Sequence, residues 1–65
     1  MRLKRICVYP KDVQRITGRS ERYGRKVIQR IKDQLGKEEH QLVSIEELAD
    51  FIGLPPDNVR EYIVD

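Results

Sequence analysis

The sequence predicts a mainly α fold of about four helices with two short β-strands, and three observations carry that prediction. Apolar residues recur at helical spacing through most of the chain, serine and proline stand where helices would begin, and Gly18, Gly36 and Gly53 stand where they would end. The 65 residues are 38% hydrophobic and 37% charged. This suits one small folded domain, near the size at which a single core barely outweighs chain entropy. Association with a second copy is therefore expected.

The elements follow in order. Residues 3–9 (LKRICVY) are rich in β-compatible side chains and read as a short strand. Pro10 suits the first position of a helix, where its missing N–H costs nothing, and Asp12 falls in the first turn, where the helix dipole favours an acid. This first helix should run to about Thr17 and end at Gly18. Ser20 can cap a second helix that continues to Leu35, with Gly36 as its stop. A charged loop covers residues 37–40, and a second short strand is expected at 41–43. Ser44 and Glu47 have the spacing of a capping box, with Val43 and Leu48 placed as a hydrophobic staple, so a third helix starts at Ile45 and ends near Ile52. A fourth should extend from Pro56 to about Val64.

Val8 and Val13 repeat the staple spacing, which prompts an overlay of the chain on itself with a shift of 35 residues. Val8 then falls on Val43, Asp12 on Glu47, Val13 on Leu48, Ile16 on Phe51, Gly18 on Gly53 and Ile28 on Ile63. The chain thus reads as one domain of two related strand-helix-turn-helix units, the first about 8–36 and the second about 43–65. Charge separates them. Residues 1–36 hold eleven Lys and Arg against three acids, a net charge of +8, while residues 37–65 hold two bases against eight acids, a net charge of −6. The basic part can bind a polyanion although the whole chain is only +2, and the two parts can also attract each other.

Composition excludes several functions. Cys7 is the sole cysteine and no Cys/His cluster is present, so neither an intramolecular disulfide nor a zinc site is expected, and a reducing, cytoplasmic location is the default. The opening residues MRLKRICVYP are too short an apolar run for a secretory signal, and no stretch approaches the roughly 20 apolar residues of a membrane span. No phosphate-binding glycine loop, nucleophile motif or cofactor signature occurs. His40 reads as a surface histidine, so an enzyme is not expected, and no small-molecule substrate is evident.

Residues 11–32 (KDVQRITGRSERYGRKVIQRIK) combine a short amphipathic segment, a glycine turn and a longer basic segment. At about 100° per residue, Tyr23, Gly24, Val27, Ile28, Ile31 and Leu35 share one face of the second helix, with Arg22, Arg25, Lys26 and Gln29 opposite. Arginine can donate two hydrogen bonds to guanine, and glutamine can do the same for adenine. Arg22, Arg25 and Gln29 are therefore expected at base edges, with Arg19, Ser20, Lys26 and Arg30 on phosphates. Gly24, an interior glycine costing about 1 kcal/mol against alanine, suggests close approach to the first helix.

With these residues the chain resembles helix-turn-helix DNA-binding domains, similar to small bacterial and phage regulators and excisionase-like proteins. The second unit fits that family's pattern more closely, with Ala49, Gly53 and Val59 where the first has Gln14, Gly18 and Gly24. However, the second unit carries Glu46, Glu47, Asp50, Asp57 and Glu61 against Arg60 alone, a surface that phosphate would repel. The resemblance implies that the basic second helix enters the major groove of double-stranded DNA and that a homodimer reads two half-sites about one turn apart. Transcription regulation is the commonest use of such a device, and an architectural or recombination-directing factor would use the same surface. The alternative of another class is a protein-interaction module, an adaptor or antitoxin-like partner, whose basic helix docks an acidic groove.

Overall fold

Gly18, Gly36 and Gly53 all adopt left-handed backbone, at φ 73°, 68° and 77°, and divide the chain into its helices. The computed structural model describes residues 6–63, and over them the fold is mainly helical. Its helices are α1 (Pro10–Thr17), α2 (Glu21–Leu35), α3 (Ile45–Ile52) and α4 (Pro56–Glu61).

Local chemistry accounts for most of their ends. Ser20 Oγ accepts from the Tyr23 N–H at 3.1 Å to cap α2. At α3 the capping box is complete: Ser44 Oγ accepts from the Glu47 N–H at 3.0 Å, and the Ser44 N–H donates to Glu47 Oε1 at 2.8 Å. Asp12 does more than favour the helix dipole. Its Oδ2 accepts from the Tyr9 N–H at 2.8 Å, and the residue is 1% exposed. The α4 helix stops short of the expected Val64, which lies outside the described residues. The Tyr62 N–H turns back to the Val59 carbonyl (3.0 Å) and the Ile63 N–H to Arg60 (3.2 Å), a tightened last turn that sends Ile63 into the core.

Among the described residues neither expected strand is formed as a strand. Residues 3–5 of the first lie outside the described residues. What pairs is a single antiparallel bridge between Cys7 and Ser44, flanked by the Val8 N–H to Val43 carbonyl (2.9 Å) and the Ile45 N–H to Ile6 carbonyl (3.1 Å). Helices begin at once on both sides, because Pro10 has no N–H to extend the ladder and Ser44 already caps α3. The register sets Val8 opposite Val43, the residues matched by the 35-residue shift, so these segments meet about a local two-fold axis. The helix bounds follow the same shift: α1 and α3 both have eight residues, and α2 and α4 start at 21 and 56.

The core contains Val8, Val13, Val27, Ile31, Val43, Ile45, Leu48, Ala49, Val59 and Ile63, with Ile16, Tyr23, Ile28, Phe51 and Ile52 packed against it. It includes side chains from all four helices and from the bridge, so both parts of the chain share one interior. Arg15 adds a polar tie, donating from Nη1 to the Tyr62 carbonyl at 3.2 Å.

The α1 and α2 helices pack closely at Gly24. A Cβ built there would lie 2.4 Å from the Pro10 carbonyl oxygen. The residue 35 positions on is Val59, whose side chain is fully buried in the core, where Gly24 has none.

Candidate nucleic-acid interface

The α2 helix has 15 residues and spans about 22 Å at 1.5 Å per residue. Gly24, Val27 and Ile31 are buried on its inner face. The opposite face is cationic and exposed, as its spacing predicts: Arg22, Arg25, Lys26 and Gln29 all reach solvent, and so does Arg30 at its edge. Arg19 and Ser20 are exposed in the turn that leads into the helix.

These side chains differ in how far they are already engaged. Arg25 Nη1 lies 3.4 Å from Glu21 Oε2, and Gln29 Nε2 donates to Asp33 Oδ1 at 3.1 Å. Two of the three residues expected at base edges are therefore held by acids on their own helix. Ser20 has its hydroxyl oxygen at the helix cap. The Arg19 guanidinium stacks over the Tyr23 ring, 4.4 Å from its centroid, which fixes it beside the N-terminus of α2. Arg22, Lys26 and Arg30 make no ion pair among the described residues. They are the cations most available to an external anion.

Two clefts flank the helix, and sequence periodicity alone shows neither. One, of about 260 Å³, is lined by Tyr23, Lys26, Val27, Arg30 and Phe51. Its α2 residues follow from i, i+3 and i, i+4 neighbours on one helix, but Phe51 arrives from α3 by tertiary packing. The other, of about 280 Å³, is lined by Tyr9, Pro10, Arg25, Ile28, Lys32 and Leu42 among others. Lys32 is engaged, its Nζ donating to the Glu39 carbonyl at 2.8 Å.

The other helix pair has a different electrostatic character. Its single base, Arg60, is held by two acids, Glu46 Oε2 at 2.8 Å and Asp57 Oδ1 at 2.9 Å. Lys37 Nζ reaches Glu47 Oε2 at 3.1 Å. The Ser44 N–H, followed by Lys37, holds the Glu47 carboxyl below its ordinary range against the opposing effect of burial. These contacts leave an acidic exterior with no unpaired base.

Among the described residues no group of three or more His, Cys, Asp or Glu could hold a metal ion, and no helix is long and apolar enough to cross a membrane. His40 is exposed, and Cys7 is half-buried at the bridge. Comparison with known proteins returns no family model, no curated protein and no solved structure that matches the chain.

Proposed function

We propose that the chain binds double-stranded DNA through α2 in the manner of small helix-turn-helix regulators, with transcription regulation as its use. One observation carries this reading: Arg22, Lys26 and Arg30 are exposed, with no ion pair among the described residues, on a helix whose other face is buried. An α-helix fits the major groove, and cations on its outer face neutralise phosphates and release counterions. Arg22, in the first turn of α2, is the residue best placed for a base edge. Arg19 and Ser20 sit at the tip of the turn beside it, and Lys26 and Arg30 lie further along for phosphates. Arg25 and Gln29 join once they leave Glu21 and Asp33. Exposed i, i+4 pairs of that kind are worth only about 0.3–0.5 kcal/mol, so their release costs little.

The test is a titration of an unrelated duplex at several salt concentrations. Log affinity should fall linearly with log salt, with a slope near −0.9 per phosphate neutralised. Arg22→Ala combined with Lys26→Ala should flatten that slope and weaken binding while leaving the helical spectrum unchanged. A chain that fails to bind duplex even at low salt refutes the reading.

A further inference from the structure

The 35-residue shift relates charged positions as well as helix ends, and it does so with a change of sign. Lys11 falls on Glu46, Arg15 on Asp50, Arg22 on Asp57 and Lys26 on Glu61. All eight side chains are exposed. Among the described residues the sign is kept at two further matched pairs, Asp12 with Glu47 and Arg25 with Arg60. Asp12 and Glu47 both accept from the backbone N–H three residues before them, and Arg25 and Arg60 both pair with an acid of their own helix. The outer surfaces of the two helix pairs therefore share a backbone plan and carry opposite charges at matching places.

Within one chain these charges are not spent on each other. Among the described residues Lys11, Arg22 and Lys26 have no acidic partner and neither Asp50 nor Glu61 has a basic one, while Arg15 pairs with Asp12, and Glu46 and Asp57 with Arg60, each inside its own helix pair. Arg22 and Lys26 are spaced i, i+4 on α2, as Asp57 and Glu61 are at the end of α4, so the two rows have matched spacing. We propose that the cationic face of α1 and α2 docks the acidic face of α3 and α4 of a second copy. The contact is heterologous, head to tail, and each copy offers both halves of it. Charge complementarity specifies the partner: a surface of the same architecture with the sign reversed. The inference stands apart from the DNA reading, because it is measured with no nucleic acid present.

Sedimentation equilibrium of the full chain at low ionic strength tests it. The weight-average mass should rise above the 7.7 kDa monomer as protein concentration increases. It should return to the monomer value in about 1 M salt, where the Debye length falls to about 3 Å. Two charge-reversed chains make the decisive comparison: Arg22→Glu with Lys26→Glu, and Asp57→Lys with Glu61→Lys. Each alone should remain monomeric, and an equimolar mixture should recover a mass well above the monomer. Wild-type chain that stays monomeric at low salt overturns the proposal, as does a mixture that stays monomeric or either variant associating like wild type. Circular dichroism establishes that both variants are folded. Should a double variant unfold, the single changes Lys26→Glu and Glu61→Lys make the same comparison.

Discussion

Replacing Gly24 with alanine sets two effects of opposite sign against each other, and the structure decides which wins. Helix propensity alone favours alanine in a helix interior by about 1 kcal/mol. The added Cβ, however, would lie 2.4 Å from the Pro10 carbonyl oxygen and 3.1 Å from the Pro10 carbonyl carbon and Cα. Ordinary carbon contacts begin near 3.5 Å, so the overlap with the oxygen is about 1 Å. The atoms met are backbone in the first turn of α1, which cannot swing aside as a flexible side chain would. Relief requires α1 to shift relative to α2, and α1 is anchored by the Val8–Val43 pairing and by buried Asp12 and Val13. Overpacking of this kind costs about 1–3 kcal/mol, and backbone contact places it toward the upper end. The net expectation is a loss of about 1–2 kcal/mol, a fall in Tm of several degrees for a domain of this size. Urea denaturation followed by far-UV circular dichroism measures it. A variant whose midpoint rises, as propensity alone requires, would refute the close approach of α1 and α2. Val59→Ala, at the matching position, should also destabilise, by about 2 kcal/mol through the opposite route of a cavity.

Asp12→Ala removes a buried acceptor that serves the Tyr9 N–H and the Arg15 guanidinium, so a loss of about 1–3 kcal/mol is expected in the same denaturation assay; an unchanged midpoint would show that these contacts do not stabilise the fold. The Glu47 carboxyl titrates lower in the folded chain than its ordinary value of 4.5, so its stabilising contribution is full above that pH and is lost as pH falls through the lowered folded value. Glu47→Gln should remove this part of the acid sensitivity, so the gap in stability between the two proteins should be present above pH 4.5 and close as pH falls from there through the lowered folded value. In the DNA titration, Arg30→Ala should reduce the salt slope by about 0.9, whereas Arg60→Ala should leave it unchanged because Glu46 and Asp57 already hold that guanidinium. Equal effects from the two substitutions would place the contact surface elsewhere.

Features controlled by near neighbours in the chain were legible in the sequence. Ser44 with Glu47, Ser20, Pro10 and the three left-handed glycines specify helix ends through hydrogen bonds and backbone freedom that reach only a few residues, and the helices begin where those signals stand. Gly24 was legible for a related reason: a glycine on the apolar face of an otherwise favourable helix marks a close contact. The expected strands failed because strand pairing depends on a partner far away in sequence, and both segments run into helix starts before a ladder can grow. The burial of Asp12 was hidden behind its more ordinary role as a first-turn acid. At the candidate interface, periodicity revealed which cations face outward. It could not reveal that Glu21 and Asp33 engage Arg25 and Gln29, nor that Phe51 would arrive beside Tyr23, since side-chain pairing and helix packing are settled in three dimensions.

At Lys11, Arg22, Lys26, Asp50 and Glu61 no ion pair among the described residues accounts for the division of charge between the two helix pairs. Substitutions at exposed helix positions away from caps and networks change stability by only about 0.5 kcal/mol in either direction, so the interior tolerates a lysine or a glutamate equally well at position 26 or position 61. Where charge does serve the fold, at Asp12 and Glu47, both helix pairs keep the same sign. Where it faces solvent, the signs oppose each other at four matched positions among the described residues, and three of the cations that make no ion pair there, Arg22, Lys26 and Arg30, lie on the longest helix. A requirement that spares the structural acids and acts on the outer surface must come from what that surface meets. A polyanion explains the cationic face of α2 and leaves the acidic face without a role, whereas a second copy explains both. The two contacts share α2 and would therefore exclude one another, so a duplex added to the associated protein should disperse it. If duplex binds and the assembly persists, the two surfaces are not the same.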